Sequence, residues 1–307
     1  MFNYILKRLA IAIPTLLILI VFSFLLMHAA PGGPFTSERA VPPEILANLE
    51  AKYGLDKPLY AQIWTYVVNV VVHFDFGPSF VYKDRTVNEI IAQGFPVTLT
   101  YGGIAFVVAV IVGVALGAMA AIYHNSWLDY LAVGISIGAQ VLPNFVMAPI
   151  LVLIFTLWLG WLPGGGWGDG QIKYLIMPVI ALSTSFMASI ARITRSSMLE
   201  VLNANHIRTA RAKGLPEHQI ILRHALKPAM LPVISYLGPA FVTMITGSVV
   251  IDMVFSTGGI GLFFVNAALN RDYSTMMGVT ILVGILTIVF NLVVDILYAW
   301  IDPKIRY

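Results

Sequence analysis

Long apolar segments recur along this chain of 307 residues, and they constrain its fold more than any other feature. Six of them approach or exceed the length of about 20 residues that a helix needs to cross a bilayer. They are Leu9–Ala30, Val97–Tyr123, Leu128–Trp158, Tyr174–Ala191, Met230–Val254 and Met276–Trp300. Only 11% of the residues are charged, against roughly a quarter in soluble domains, so the chain lacks the polar surface needed to face water. We therefore predict an all-α membrane protein with six transmembrane helices.

The first apolar segment follows a basic pair, Lys7 and Arg8, and a cleaved signal peptide begins in the same way. The apolar core of a signal peptide is about 7–15 residues long, and Ile11–Met27 already exceeds that length. We therefore expect residues 1–30 to form a retained first transmembrane helix with its N-terminus in the cytoplasm. Six spans would return the C-terminus to the cytoplasm as well.

Two polar regions between the spans differ in charge. Residues 31–96 carry five Lys or Arg and seven acidic residues, whereas Arg192–Lys227 carries seven Lys or Arg and two acidic residues. Because cationic residues gather in short cytoplasmic loops, the first region is predicted to be periplasmic and the second cytoplasmic. Residues 97–303 would then form a core of five helices that contains a basic loop, residues 192–228. Since the basic residues lie between spans, they do not suggest binding to nucleic acid.

The basic loop also has the pattern of a folded element. Ser196–Lys213 contains good helix formers and no Gly or Pro, and Gly214 follows as a helix terminator that favours a left-handed turn. Pro216 then stands where a second helix, Glu217–Leu226, would begin. The sequence predicts a rigid projection of two helices, although a solvated basic loop that only sets topology has the same composition.

Proline and glycine are expected to modify several spans. Pro143 and Pro149 interrupt the third apolar segment, and Gly238 with Pro239 should break or kink the fifth. Close helix contacts are favoured by two pairs of glycines four residues apart. These pairs are Gly113 with Gly117 and Gly134 with Gly138.

No enzymatic motif is present in the sequence. It has no cysteine and no HExxH, GxSxG or Walker A sequence. The glycine-rich segment Trp161–Gly170 lacks the Gly-Lys-Ser/Thr ending of a phosphate-binding loop. We expect no catalytic, cofactor-binding or metal site in this chain.

A few polar residues near or within the spans are candidates for function, because their burial in a bilayer is costly. Four ionisable residues stand near predicted span ends, where an ion pair or the interface can satisfy them: His28, Asp129, Asp252 and Asp295. Asp295 is a candidate for a gate or a packing contact. Asn144, beside Pro143, could line a transport path or make a hydrogen bond between helices, and the sequence leaves both roles open.

The basic loop resembles the coupling loop of permeases from binding-protein-dependent ABC importers. The pattern of that loop is Glu-Ala-Ala, three residues, Gly, nine residues and Ile-x-Leu-Pro. Here Gly214 falls on the glycine and Leu226 on the leucine, while His224 and Lys227 replace the isoleucine and the proline. These departures resemble the peptide-transporter branch of the family. In place of the Glu-Ala-Ala triplet stand Arg208, Thr209 and Ala210.

The likeness extends over nearly the whole chain. Passages similar to that branch are Tyr53–Leu59, Asp75–Ser79, Trp161–Trp167, Ala268–Tyr273 and Ile301–Tyr307. The resemblance implies the fold of a type I ABC importer permease in a bacterial inner membrane. It also implies a set of residues in the loop that meets an ATPase: Arg208, Thr209, Ala210, Arg211, Gly214 and Leu226.

The resemblance further implies a function. The chain would be one of two homologous permease subunits of an importer for oligopeptides, and it would form half of the translocation path. Two cytoplasmic ATPases would use ATP and Mg²⁺, and a periplasmic peptide-binding protein would deliver the substrate. Dipeptide and nickel permeases share the coupling loop and remain alternatives. Outside the family, a secondary transporter driven by an ion gradient is the alternative.

Overall fold

A computed structural model describes residues 2–29, 51 and 54–301 of the chain. Within these residues the regular structure is helical, with an isolated β-bridge between Pro78 and Thr86. The helices are α1 (Phe2–Ala29), α2 (Leu59–Val72), α3 (Val87–Ile122), α4 (Trp127–Val141), α5 (Asn144–Trp158), α6 (Ile172–Leu202), α7 (Asn205–Ala212), α8 (Glu217–Phe255), α9 (Ile260–Leu269) and α10 (Tyr273–Ile301). The all-α class is confirmed. Residues 31–50 and 52–53 of the predicted periplasmic segment, and residues 302–307 of the passage Ile301–Tyr307, lie outside the described residues.

Five of these helices are long and apolar enough to cross a membrane, namely α1, α3, α6, α8 and α10. A sixth span results when α4 and α5, which are bent by 100° at a short break, are counted as one. The described residues therefore agree with six spans, and the bent span formed by α4 and α5 lies in the predicted third apolar segment. The cytoplasmic position of both termini stays a prediction.

The break between α4 and α5 follows from Pro143. Leu142 ends α4 by donating its N–H to the carbonyl oxygen of Gly138 at 3.3 Å, and it has extended dihedral angles (φ −84°, ψ 108°). Because the residue before a proline is disfavoured in a helix, a new helix begins after Pro143. Pro149, which was also expected to interrupt the segment, lies inside α5 without ending it. The helix widens to a π-helix from Val152 onward.

The fifth span is continuous, so Gly238 and Pro239 do not break it, and the alternative prediction of a kink stays a prediction. Both residues lie inside α8. The hydroxyl of Thr243 donates to the carbonyl oxygen of Pro239 at 2.8 Å. A Cβ at position 238 would lie 2.9 Å from a methyl group of Val294, so this glycine serves close packing against α10.

The described chain divides into two compact units. The first contains residues 99–257 and 289–301, and the second contains residues 2–98 and 258–288. In the second unit, α2 packs against α1 and α10 through a buried hydrophobic cluster. The basic loop and the α4–α5 break both lie in the first unit, which therefore holds most of the candidate functional residues.

In the first unit, helix α3 lies directly against α6. A Cβ at Gly117 would lie 2.3 Å from the carbonyl oxygen of Ala191, and Gly113 is similarly close to α6. The first predicted glycine pair is thus a helix contact. The second pair, Gly134 and Gly138 on α4, has no atom of the described chain within 4 Å of either Cβ position.

Candidate coupling loop and polar helix face

The basic loop folds as a short helix between two long ones, and its helix boundaries differ from the predicted ones. The predicted helix Ser196–Lys213 is divided between α6 and α7, which are separated by Asn203 and Ala204. The side-chain amide of Asn203 donates to the carbonyl oxygen of Leu199 at 2.8 Å, so it satisfies one of the terminal carbonyls of α6. The predicted helix Glu217–Leu226 does not end at Leu226 but continues as the membrane helix α8.

Helix α7 is held by a buried hydrophobic cluster at the adjoining ends of α6 and α8. Ile207 and Ala210 of α7 are 0% and 7% exposed. The cluster also contains Ala121, Met198, Ile220, Ala225 and Ala229. Leu226 is half-buried and packs against it. Two of the six predicted coupling residues, Ala210 and Leu226, therefore anchor α7 within the chain. The buried face of α8 also explains why that helix does not stop at Leu226.

The other four predicted coupling residues are exposed, and one of them is already paired. Arg211 contacts Glu217 across the turn between α7 and α8: Nη2 lies 2.6 Å from Oε1, and Nε lies 3.3 Å from Oε2. Both side chains are about half exposed, so the pair contributes little to stability and mainly orients the turn. Within the part of the chain that the structure describes, Arg208 makes no ion pair. The four exposed residues are Arg208, Thr209, Arg211 and Gly214.

Gly214 ends α7 through a left-handed turn, as the sequence predicted. Its φ is +76°, and its N–H donates to the carbonyl oxygen of Arg211 at 2.9 Å. The N–H of Leu215 donates to the carbonyl oxygen of Ala210 at 3.3 Å, which completes a Schellman motif. A Cβ at position 214 would meet no atom within 4 Å, so the dihedral angle and not the available space favours glycine here.

An ion pair joins α4 to α6 at the end next to the basic loop. Arg195 donates from Nε to Oδ1 of Asp129 at 2.7 Å and from Nη2 to Oδ2 at 2.8 Å. The Nδ1 atom of His124 lies 3.1 Å from the same carboxylate. Asp129 was predicted to be satisfied by an ion pair or by the membrane interface, and the structure shows the ion pair. The contact with His124 was not predicted from the sequence. Because these groups meet, the linker Tyr123–Trp127 lies at the same end of α6 as the basic loop.

Five polar residues of α4, α5 and α6 form a row, termed here the polar face: Gln140, Asn144, Ser185, Ser189 and Arg192. The Arg192 guanidinium donates to Oε1 of Gln140 at 2.9 Å, and the Ser185 hydroxyl donates to Oδ1 of Asn144 at 3.4 Å. The Ser189 hydroxyl donates to the Ser185 carbonyl oxygen at 3.1 Å. Asn144 therefore makes a hydrogen bond between helices, which is one of its two predicted roles. All five residues remain at least partly exposed.

The remaining ionisable candidates have different surroundings. Asp252 is fully buried and accepts hydrogen bonds from the hydroxyls of Tyr101, at 2.6 Å, and Thr257. The Nδ1 atom of His28 lies 2.9 Å from a carbonyl oxygen of its own helix. Asp295 is half-buried on α10, and its role as a gate or packing residue stays a prediction. Among the residues that the structure describes, no three His, Asp or Glu side chains are grouped closely enough to hold a metal ion.

Sequence reasoning missed a buried carboxylate in the second unit. Asp272 is 0% exposed and accepts hydrogen bonds from the N–H of Phe80 at 3.1 Å and from the N–H and hydroxyl of Thr275 at 3.2 and 2.8 Å. The Ser79 hydroxyl also donates to it. Ser79 and Asp272 belong to two of the passages that resemble the peptide-transporter branch, but no local pattern indicated that these passages meet.

Two family models match the chain. The model described as "Binding-protein-dependent transport system inner membrane component" matches residues 113–307. The model described as "Binding-prot-dependent transport system membrane comp, N-term" matches residues 1–102. Together they cover nearly all of the sequence.

Relatives and solved structures agree with these models. The oligopeptide transport system permease protein OppB of Haemophilus influenzae is 59% identical over 307 residues, which is 100% of both chains. The dipeptide transport system permease protein DppB of Bacillus subtilis is 40% identical and covers 100% of this chain and 98% of its own. A chain from an inward-facing structure of the MetNI methionine ABC transporter has a TM-score of 0.60 at 17% identity, with 70% of this chain and 97% of that chain covered. At that identity the structural likeness shows the fold alone.

Proposed function

The chain belongs to the family of binding-protein-dependent transport system inner membrane components, and from this premise we propose that it is a permease subunit of an ATP-driven importer for oligopeptides. The observation that carries the substrate class is the 59% identity, over the whole chain, to an oligopeptide permease. A dipeptide permease is 40% identical, so a dipeptide substrate is the second candidate. Nothing observed favours nickel, and membership of this family argues against an ion-coupled transporter.

The polar face supports a role in lining half of the translocation path. Its amides and hydroxyls can bond to the backbone of a passing peptide without holding one type of side chain tightly. Polar side chains within membrane spans are costly when they face lipid, so their partial exposure in the single chain favours a water-filled space. A second homologous permease subunit facing this row would supply the other wall of the path.

The exposed side of α7 supports docking of an ATPase subunit. Arg208 and Thr209 project from a helix whose opposite side is buried in the chain's own cluster. Arg208 offers a cation to an anionic group of a partner, because no residue in the described chain pairs with it. Two cytoplasmic ATPases would bind ATP and Mg²⁺ and supply the energy. A periplasmic peptide-binding protein would deliver substrate at the opposite side.

The buried cluster around Ile207 explains how movement at α7 reaches the membrane. It joins α7 to the ends of α6, which has 31 residues, and α8, which spans 39 residues. Both helices continue without a break from the loop into the apolar segments, α8 through a π-helical turn at Ile220–Ala225, so a displaced α7 would carry their ends with it. If the ATPases bind one position of α7 more tightly than another, their closure shifts the population between two arrangements of the path.

The proposal is tested by reconstituting the chain with its partner subunits in proteoliposomes. Uptake of a labelled tetrapeptide should require ATP, both ATPase subunits and the binding protein. It should be unaffected when ion gradients are collapsed. Uptake that persists without the ATPases and follows an ion gradient would contradict the proposal, and uptake of dipeptides only would support the second candidate substrate.

A further inference from the structure

Helix α6 carries two arginines three residues apart whose surroundings differ. Arg195 forms a bidentate ion pair with Asp129. Arg192 is exposed, and its guanidinium donates to a neutral amide, that of Gln140, at 2.9 Å. Within the described residues no carboxylate lies at salt-bridge distance from Arg192, so this part of the chain does not neutralise the charge.

The side chain of Arg192 extends away from the basic loop, toward the N-terminal end of α6. Helices α4 and α6 run antiparallel, because Asp129 contacts Arg195 while Gln140, later in α4, contacts Arg192, earlier in α6. Gln140 lies eleven residues beyond Asp129, about 16 Å along α4, whereas Arg192 lies three residues, about 4.5 Å, from Arg195. To reach Gln140, the guanidinium must therefore extend away from the basic loop. An arginine that only marks the cytoplasmic side extends the other way, toward the interface.

The other members of the polar face are uncharged. Ser189 and Ser185 follow Arg192 along one face of α6, and Ser185 donates to Asn144 on α5. Ionisable side chains within membrane spans face the bundle interior or a water-filled cavity, and they mark substrate pathways. A guanidinium without a carboxylate partner, at the end of a row of amides and hydroxyls, is suited to bind a carboxylate through two parallel hydrogen bonds.

We propose that Arg192 binds the carboxylate group of a peptide as it crosses the inner half of the path, and that Gln140 positions the guanidinium when no peptide is present. This inference rests on the proposed function. Every peptide with a free C-terminus carries such a carboxylate, so the site acts on peptides of any side-chain composition. Asn144 and the two serines contact the peptide backbone beyond the carboxylate.

The test uses the complete reconstituted importer and two probes, tetra-alanine and its C-terminal amide. Arg192→Gln should lower the uptake of tetra-alanine about tenfold, which corresponds to about 1.4 kcal/mol, and change the uptake of the amide less than about twofold. Arg192→Lys keeps the charge and should retain most of the tetra-alanine uptake. Each rate is divided by the wild-type rate for the same peptide, so the preference of the binding protein cancels. Peptide-stimulated ATP hydrolysis is recorded in parallel, so that a slowly transported peptide still gives a readout.

Arg195→Gln is the matched control on the same helix. It breaks the ion pair to Asp129 and should lower the uptake of both peptides by the same factor. Equal losses for the two peptides in Arg192→Gln would assign Arg192 a structural role and overturn the proposal, as would unchanged uptake of both. Absence of ATP-dependent uptake by the wild-type complex would instead contradict the proposed function, so the two failures are distinguishable.

Discussion

Gly214 is the residue on which the geometry of the coupling loop depends most directly. Its φ of +76° lets the chain reverse between α7 and α8, and the Arg211–Glu217 pair bridges that reversal. A residue with a Cβ pays about 1–2 kcal/mol to adopt the left-handed conformation. No atom lies within 4 Å of the Cβ position, so a larger side chain has room and only the backbone resists it.

We expect Gly214→Val to lower peptide uptake and peptide-stimulated ATP hydrolysis severely, while membrane insertion and subunit assembly remain largely intact. A β-branched residue disfavours the left-handed turn, so α7 would tilt or lift away from the ATPase. Gly214→Asn is the matched control, because asparagine enters this conformation more readily, and it should retain most of the uptake. Near-normal uptake per assembled complex in Gly214→Val would show that Gly214 has no role in coupling.

At the scale of elements, the contact between α3 and α6 is close enough to require glycine in the first unit. A Cβ atom at Gly117 would lie only 2.3 Å from the carbonyl oxygen of Ala191. No such contact exists at Gly134 on α4 within the described chain. The small residues of α3 therefore serve packing inside this subunit. The open glycine positions on α4 lie on a surface that a partner subunit or lipid would cover.

Gly117→Ala should destabilise the subunit by roughly 1–3 kcal/mol, because the helices must move apart to admit a single methyl group. Gly134→Ala adds the same methyl group at an open position and should leave stability unchanged or slightly higher. The difference in stability is measured by heating both variants in detergent and recording the yield of monodisperse protein at each temperature. Equal behaviour of the two variants would show that the α3–α6 contact is looser than described.

At the scale of the whole molecule, the number and positions of the apolar spans are what the sequence predicted best. Hydropathy located the spans because each helix must bury its own backbone polar groups in lipid, which leaves long uninterrupted apolar segments. Pro143 predicted the break in the third span for a similarly local reason. Pairings distant in sequence could not be predicted: Ser79 with Asp272 and Arg195 with Asp129 depend on how helices pack. The end of α6 at Asn203 was missed because its side-chain cap replaces the glycine or proline that marks many helix ends.

Cysteine labelling tests the predicted sidedness, and the absence of native cysteine makes each introduced thiol unique in this chain. A cysteine at Asp169, an exposed position after the third span, should react with an impermeant thiol reagent in intact cells with a permeable outer membrane. A cysteine at His218, exposed at the start of α8, should react only after lysis. Labelling of the His218 position in intact cells would show that the orientation is the opposite of the predicted one, with both termini outside.

The central claim is that the exposed side of α7 receives an ATPase subunit while its buried side moves α6 and α8. Cross-linking from two adjacent positions tests it most directly in an assembled importer that hydrolyses ATP. Thr209→Cys lies on the exposed side and should cross-link to an ATPase subunit through a short thiol-reactive linker. Ala210→Cys lies in the buried cluster and should not. Cross-linking from Ala210→Cys, or none from Thr209→Cys in an active complex, would contradict the account.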